Sequence, residues 1–292
     1  MFEDTMFDDD TVFKTGLTLH IDADTIVYAT ACIFNEDDEH SREKMAQHIG
    51  NKIRNLQTAA DADDVVCFLT TRTNFRDDLV DDYKANRSTA TRPVNLAWGK
   101  QWLTQNYDCK WQHLLEADDL LGIYAREDAI IWSVDKDLRQ IPGLHLDDQT
   151  RQVKEITYEG SIIKNGKKIY FDGMLGFYFQ CLTGDSTDHI LGCGFRTDCV
   201  YKSGAKAGQE YTKRVGIGPV EAYNLLVDAE DPLAVVIEQY EETHDTDAMY
   251  NLELQANLLW MVRGYLPEAG NIQRWTFDGR EEWYNLEGNQ IL

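Results

Sequence analysis

The chain is 292 residues long and 43% hydrophobic, with 14 Tyr and 7 Trp, so it can bury the core of one large or two modest domains. A net charge of −23 at pH 7 argues against a protein that binds nucleic acid through an overall basic surface. The first ten residues are acidic, unlike a signal peptide, and no apolar stretch approaches the ~20 residues that span a bilayer. We therefore expect a folded, soluble, cytoplasmic protein.

Strand-like and helix-like segments alternate along the chain, which predicts an α/β fold. Short apolar runs rich in β-branched residues predict buried strands, and an Asn-Gly pair between alternating residues predicts a tight hairpin turn. Beyond residue 172 the apolar spacing is mainly helical. The predicted elements are a tail (1–15), strands at 17–22, 65–70, 129–134 and 143–147, helices at 41–60 and from 116, and a hairpin within 150–171 that turns at Asn165-Gly166.

Eight acidic residues form four short groups at places where predicted strands end or helices begin. Asp22 ends the first strand, and Asp135 follows the third. Ligands of open α/β sheets bind outside the carboxyl ends of the strands, so these acids are expected to converge. The groups are Asp22; Glu116, Asp118 and Asp119; Asp135 and Asp137; and Asp185 and Asp188.

Converging carboxylates repel one another unless divalent cations lie between them. Hard oxygen ligands favour Mg²⁺ or Mn²⁺, and two such ions serve phosphodiester hydrolysis. The alternative is solvated surface, because 51 of the 292 residues are acidic and close acidic pairs then arise by chance. The positions of the acids at strand ends favour a metal-dependent nuclease.

The six cysteines include no C-x-x-C pair, which favours isolated reduced thiols over a zinc site. His189, Cys193 and Cys199 could start such a site, but a fourth ligand at the usual spacing is missing.

Basic residues are concentrated in two segments of this acidic chain. Segment 72–113 has seven basic and five acidic residues, and segment 196–214 has five basic and two acidic ones. Just after the second segment, Gly216 and Gly218 precede Pro219 and a helical pattern. Glycines let a backbone approach phosphate closely at a helix start, although an ordinary helix cap would have the same residues.

Six short motifs follow one another in order between about residues 17 and 226. They are H-I-D-A-D (20–24), D-Y-K-A-N-R (82–87), E-A-D-D (116–119), S-V-D-K-D (133–137), G-D-S-T-D (184–188) and G-I-G-P-V-E-A (216–222). In this order they resemble the 5′ nucleases, which comprise flap endonucleases, the 5′-nuclease domains of bacterial DNA polymerases and phage 5′→3′ exonucleases. The resemblance is strongest to the exonucleases of short-tailed bacteriophages, in which a basic stretch like 202–213 also occurs. It implies a role in DNA replication, in the host cytoplasm if the chain is phage-encoded.

The resemblance also implies roles for individual residues. Asp22, Glu116, Asp118 and Asp119 would hold one metal ion, and Asp135, Asp137, Asp185 and Asp188 the other. Lys84 and Arg87 would contact the phosphate during catalysis. The residues implied in DNA binding are Tyr83, Lys202, Lys206, Lys213, Arg214, Gly216 and Gly218, with K⁺ at the carbonyls of hairpin 215–219.

One family position departs from the pattern. Members usually carry an Asp after the second strand, and the aligned piece offers Thr71 instead. Asp24 could compensate only if the chain turns there, because strand alternation would point it away from Asp22.

The implied fold is a PIN-like core (16–182) with a central, mostly parallel sheet, followed by a helical DNA-binding lobe (183–292) with a helix-hairpin-helix-like motif. Segment 72–113 would form a helical arch over the site, or an ordinary pair of surface helices. Within it, Trp98 and Trp102 are expected to be core contacts, and Tyr83 is expected either to stack on a base or to be buried.

The predicted function is Mg²⁺- or Mn²⁺-dependent hydrolysis of DNA from 5′ ends or flaps. One alternative keeps the fold as a DNA-structure-binding protein that is catalytically weakened at Thr71. The other is an acidic partner-binding or DNA-mimic protein, which would not need Lys84, Arg87 and the glycine hairpin in this order.

Overall fold

The structure is a computed structural model that describes residues 15–71, 73–81, 83–85 and 91–286. The predicted tail lies almost wholly outside these residues. The helices are α1 (Ala23–Ile33), α2 (Glu39–Ala60), α3 (Arg76–Leu79), α4 (Leu96–Asn106), α5 (Ala117–Ile123), α6 (Gly173–Thr183), α7 (Pro219–Leu226), α8 (Pro232–His244) and α9 (Ala248–Leu259). The strands are β1 (Thr18–Asp22), β2 (Asp64–Phe68), β3 (Asp108–Lys110), β4 (Ala129–Trp132), β5 (Gly143–Leu146), β6 (Val153–Ile156), β7 (Ser161–Asn165), β8 (Lys168–Asp172), β9 (Gly194–Val200), β10 (Glu210–Gly216), β11 (Tyr265–Leu266), β12 (Asn271–Gln273) and β13 (Trp283–Asn285).

A six-stranded sheet in the order β3-β2-β1-β4-β5-β6 forms the centre of the fold. Strands β1 to β5 pair in parallel, and only the edge strand β6 is antiparallel. The predicted strands at 17–22, 65–70, 129–134 and 143–147 are confirmed as β1, β2, β4 and β5, and the predicted α/β class is confirmed with them. Strand β1 lies between β2 and β4, and its apolar residues are fully buried because helices cover both faces of a parallel sheet.

Helices α1, α2 and α4 cover one face of the sheet, where Ile21 and Trp132 meet Met45 and Leu103. Trp98 and Trp102 of α4 pack against this core, as predicted. Helix α4 is therefore part of the nuclease-like core rather than of an arch. The expectation that segment 72–113 forms an arch is wrong for residues 96–106, because their apolar side chains are needed to cover the sheet.

The second face of the sheet packs against α5 and the C-terminal strands. Phe68 and Ile131 meet Leu120 of α5 and Ile272 and Tyr284 of β12 and β13. The last thirty residues carry no motif that predicts a role, and their described part, up to residue 286, returns from the helical lobe to the sheet.

A third core joins α6 to α7, α8 and α9, with Phe177, Tyr240 and Leu252 fully buried. Helix α6 therefore packs with the helical lobe, although a domain boundary at 182 would place it in the nuclease core. None of the described helices is both long and apolar enough to cross a membrane.

Two β ribbons stand apart from the central sheet, each as a two-stranded sheet of its own. The β7–β8 ribbon (161–172) is the predicted hairpin, and its closing pair Asn165–Lys168 makes Gly166 and Lys167 the turn residues. Gly166 has a φ of +61°, which the tight turn requires. The β9–β10 ribbon (194–216) falls where a mainly helical pattern was predicted.

The half-buried His145 on β5 makes folding sensitive to acid. Its Nε2 lies 2.8 Å from the carbonyl oxygen of Ile141, so a neutral ring donates there. Burial lowers the pKa of His145 from 6.5 to about 4. Between these pH values the unfolded chain takes up a proton that the folded protein excludes, so stability falls as the pH falls.

We expect the free energy of unfolding to fall more steeply between pH 6.5 and pH 4 in the native chain than in His145→Gln. Gln keeps a donor for Ile141 but cannot be protonated. Urea denaturation of both proteins across this range measures the difference. Parallel pH profiles would show that His145 is free to ionise in the folded protein.

Candidate metal centre and DNA-binding surface

The predicted acidic residues lie where the central parallel strands end. Asp22 is the last residue of β1, and Asp135 lies three residues beyond β4. Glu116 stands at the start of α5, which brings Asp118 to the same edge of the sheet. This edge is where ligands of open α/β sheets bind.

Asp22, Asp118 and Asp135 come close enough for their charges to interact. Burial raises the pKa of Asp22 to about 7, and the charges of Asp24 and Asp135 add to the increase, although Ser133 Oγ donates to Asp22 Oδ2 at 2.8 Å. Burial and the charges of Asp22 and Asp135 also raise the pKa of Asp118 well above its usual value. Asp118 accepts no hydrogen bond within the described part of the chain. Burial and mutual repulsion therefore both disfavour the charged forms of Asp22 and Asp118 in this structure.

Glu116 is paired instead with cations of the chain. Lys84 Nζ lies 2.6 Å from Glu116 Oε1 and 3.4 Å from Asp188 Oδ2. Burial alone would raise the pKa of Glu116, but the charges of Lys84 and Arg76 bring it below its ordinary value. Lys84 has a φ of +52°, and its amide donates to the carbonyl oxygen of Asp188, which fixes the loop that carries it.

The second acidic group forms around Lys136. Its Nζ lies 2.9 Å from Asp185 Oδ2 and 3.1 Å from Asp137 Oδ1. Gln180 of α6 also donates to Asp137 at 2.7 Å. Burial raises the pKa of Asp137 to about 7, with the charge of Asp135 as the next cause. Asp185 has the opposite shift, because Lys136 lowers its pKa more than burial raises it.

Asp119 differs from the other predicted acids because it is fully engaged in a buried ion pair. Both of its oxygens accept from Arg76 at 2.8 Å, and they also accept from the backbone amides of Glu116 and Val262. The pair is fully buried, with Asp119 0% and Arg76 1% exposed. The expectation that Asp119 binds metal is wrong in this structure, because no oxygen of its carboxylate is free.

The chemistry of the remaining donors fits hard divalent cations. All of them are carboxylate oxygens, the ligands that Mg²⁺ and Mn²⁺ prefer, and the unneutralised charge on Asp22 and Asp118 would favour a cation. In the described residues, however, no three acidic, His or Cys side chains are arranged as a metal site. The ammonium groups of Lys84 and Lys136 lie between the carboxylates instead.

Neither Thr71 nor Asp24 lies within a strand, so strand alternation does not set the direction of either side chain. Thr71 Oγ1 donates to the carbonyl oxygens of Thr73 and Gln112, so it is engaged in its own loop. Helix α1 begins at Ala23, and this turn brings Asp24 to the end of β2, where its Oδ2 accepts from the amide of Thr70 at 2.7 Å. Lys100 Nζ lies 2.5 Å from its other oxygen.

Of Tyr83 and Arg87, which were also predicted to contact DNA, only Tyr83 lies within the described residues. Tyr83 is 8% exposed, and its hydroxyl donates to Glu116 Oε2 at 3.0 Å, so burial rather than base stacking is the outcome. Arg87 lies outside the described residues.

On the β9–β10 ribbon, Arg214 is an anchor rather than an exposed cation. Its guanidinium donates to the carbonyl oxygens of Leu191, Ile217 and Leu182. Gly216 has a φ of +151°, and a Cβ there would lie 2.4 Å from the carbonyl oxygen of Cys193. Gly218 caps α7, whose first residue is Pro219. Lys202, Lys206 and Lys213 are exposed on this ribbon.

Sequence reasoning missed several residues that organise the site. Arg76 and its partner Asp119 are 43 positions apart in the chain, so no local pattern connects them. Lys136 and Ser133 stand inside the motif S-V-D-K-D, where only the acids had drawn attention. Lys100 lies on α4 between Trp98 and Trp102, and its residue type predicts no role there.

Comparison with solved structures confirms the resemblance to 5′ nucleases at the level of the fold. The bacteriophage T5 D15 protein crystallised with metal ions matches over 83% of this chain and 86% of its own, with 16% identity and a TM-score of 0.51. The T5 5′-exonuclease with bound zinc has 15% identity and a TM-score of 0.51 over the same shares. The T5 flap endonuclease in a complex with DNA and metal ions has 14% identity and a TM-score of 0.51, over 83% and 85%.

A sequence relative supports the same resemblance. DNA polymerase I of Rhizobium leguminosarum is 35% identical over 129 residues, which is 40% of this chain and 12% of the polymerase. The chain thus matches only a small part of that enzyme. No family model matches the chain.

Replacing Arg76 should destabilise the protein strongly. Arg76→Met leaves Asp119 buried and unpaired, and breaking a buried ion pair in this way costs about 3–5 kcal/mol. Arg126→Met, which breaks the exposed pair with Asp128, is the control and should change stability little. Urea denaturation measures both. A similar small loss in the two variants would refute the role of Arg76 as an anchor of the site.

Asp24, rather than Thr71, should influence the metal centre. Thr71→Asp should leave Mg²⁺ binding unchanged, because the side chain faces the carbonyls of its own loop. Asp24→Asn should weaken Mg²⁺ binding, because the charge of Asp24 acts on Asp22. The readout is the rise in melting temperature with Mg²⁺ concentration. Tighter binding in Thr71→Asp would instead place a carboxylate at that position beside the ion.

Proposed function

We propose that the protein is a metal-dependent 5′ nuclease that hydrolyses DNA phosphodiesters from 5′ ends or flaps. The observation that carries the proposal is the convergence of Asp22, Asp118 and Asp135, from three separate elements, with too little positive charge to neutralise them. Such a cluster suits divalent cations and has little use in a merely solvated surface.

The acids divide into two ligand groups in this proposal. Asp22, Glu116 and Asp118 would hold one ion, and Asp135, Asp137, Asp185 and Asp188 the other. Two Mg²⁺ or Mn²⁺ ions, when bound, would lower the pKa of an attacking water and stabilise the leaving oxygen. Asp119 would position these ligands without binding an ion, because its hydrogen bond from the amide of Glu116 fixes the start of α5.

Lys84 is the cation of the chain best placed to act on the phosphate. Its ammonium lies between Glu116 and Asp188, one residue from each group. Contact with a phosphate oxygen would offset the charge that develops there during hydrolysis. We assign a similar role to Arg87 on the strength of its place in the motif D-Y-K-A-N-R.

The lobe offers sequence-independent contacts for the DNA. Lys202, Lys206 and Lys213 have no acidic partner among the described residues and would contact phosphates of the duplex. The amides at the start of α7 would meet the backbone beside Gly216 and Gly218. We also assign K⁺ binding to the carbonyls of hairpin 215–219, of which that of Ile217 already accepts from Arg214.

The structural relatives agree with this choice of substrate and cofactor. Their names describe a 5′-exonuclease and a flap endonuclease, studied with divalent metal ions and with DNA.

A second candidate function keeps DNA binding without efficient hydrolysis. The observation in its favour is the end of β2, where Thr71 faces its own loop and supplies no carboxylate. The two candidates differ in turnover rather than in affinity for DNA.

The decisive experiment is incubation with 5′-labelled duplex and flap DNA, with Mg²⁺ and with EDTA. We expect release of short 5′ products with Mg²⁺ and none with EDTA. Binding of the same DNA without Mg²⁺-dependent cleavage would favour the second candidate, and neither binding nor cleavage would refute both.

Asp135→Ala should reduce cleavage to the level of the EDTA sample while DNA binding persists, because a metal ligand serves chemistry more than docking. Asp128→Ala is a matched control, since Asp128 is exposed at the amino end of the same strand, away from the site. Single-turnover cleavage and equilibrium binding measure the two effects. Near-native turnover in Asp135→Ala would remove this site from the mechanism.

A further inference from the structure

Both β ribbons adjoin helix α7. Strand β10 ends at Gly216, three residues before α7 begins at Pro219. The β7–β8 ribbon also packs against α7, and Lys164 Nζ lies 5.5 Å from the centroid of the Tyr223 ring. Both ribbons therefore adjoin the proposed DNA-binding helix, although only the β9–β10 ribbon has so far been given a role.

Unpaired lysines are concentrated on these two ribbons. Elsewhere a carboxylate lies within 3.7 Å of Lys52, Lys84, Lys100, Lys110, Lys136 and Lys154. The described lysines without such a partner are Lys44, Lys164, Lys167, Lys168, Lys202, Lys206 and Lys213. All of them except Lys44 lie on the ribbons.

This distribution is unusual for so acidic a chain. The chain has a net charge of −23, so carboxylates are plentiful on its surface. Lysines without a role in binding would be expected to lie beside these carboxylates, which attract them. The β7–β8 ribbon instead has three lysines against one aspartate, Asp172, and all three lysines are exposed at or next to its turn. A positive surface in a negative protein attracts a polyanion to that place in preference to the acidic surface around it.

We propose that the β7–β8 ribbon is a second phosphate-binding element for duplex DNA, which acts together with the β9–β10 ribbon and the start of α7. Lys164, Lys167 and Lys168 would contact backbone phosphates. An ammonium group is a point charge that suits phosphate and does not select among bases, so the contact is independent of sequence. This inference rests on the proposed function, since it supplies the grip on the duplex whose 5′ end is cut.

The test is the salt dependence of duplex binding by Lys167→Gln/Lys168→Gln. These two residues are exposed at the turn, so the fold should survive their replacement, which thermal unfolding checks. Each lost phosphate contact should reduce the slope of log affinity against log salt by about 0.9. Fluorescence anisotropy with a labelled duplex in EDTA measures affinity without cleavage. The single-turnover cleavage rate with Mg²⁺ at saturating enzyme should stay native.

Two further variants make the outcome specific. Lys44→Gln/Arg54→Gln removes two exposed positive charges from α2, which packs against α1 and α4, and should keep the native slope. Lys167→Arg/Lys168→Arg keeps the charge and should also keep the slope. A native slope in the glutamine ribbon variant, an equal reduction in the α2 variant, or a loss in the arginine variant would each overturn the proposal.

Failure of the ribbon proposal and failure of the nuclease proposal give different results. If the native protein binds and cleaves DNA while the glutamine ribbon variant binds with native affinity and slope, only the ribbon proposal fails. If the native protein neither binds nor cleaves the duplex, the proposed function itself fails.

Discussion

Mutual repulsion between carboxylates at one edge of the sheet is the constraint around which the rest of this structure is arranged. Parallel strands bring Asp22 and Asp135 to the same edge, and α5 adds Asp118. Burial raises the free energy of their charged forms, as the raised pKa values of Asp22 and Asp118 indicate. Such an arrangement must be stabilised from elsewhere in the fold, and it is useful only where a cation is to be bound.

Arg76 supplies much of that support by joining the site to the helical lobe. Its guanidinium donates to Asp119 and to the carbonyl oxygens of Leu258 and Trp260, just at the end of α9. Asp119 in turn holds the amides of Glu116 and Val262. One buried ion pair thus fixes the start of α5 and the return of the C-terminal segment to the sheet. A change in the packing of the lobe would be transmitted through these bonds to Glu116 and Asp118 at the start of α5.

The same electrostatic logic explains how an acidic protein could hold DNA. Near the site, Lys84 and Lys136 are committed to carboxylates, so they neutralise the centre rather than attract the duplex from a distance. The lysines without acidic partners are displaced to the two ribbons beside α7. Because the two sets of lysines are separate, the lobe would attract DNA while most of the remaining surface would repel it. This distribution of charge would favour one orientation of the bound DNA.

The sequence by itself determined the local features: the buried strands β1, β2 and β4, the acids at their ends, and the turn of the β7–β8 ribbon. Each of these features depends on residues that are close together in the chain. Their apolar periodicity predicts the strands, and the Asn-Gly pair predicts the turn. The tertiary structure alone decided which acids are free, because the partners come from distant segments. Arg76 and Leu258 are 182 positions apart, and Arg214 and Leu182 are 32 apart. Asp119, Tyr83 and Arg214 therefore have the residue types of a functional site, but buried hydrogen bonds that no local pattern encodes commit them to holding it in place.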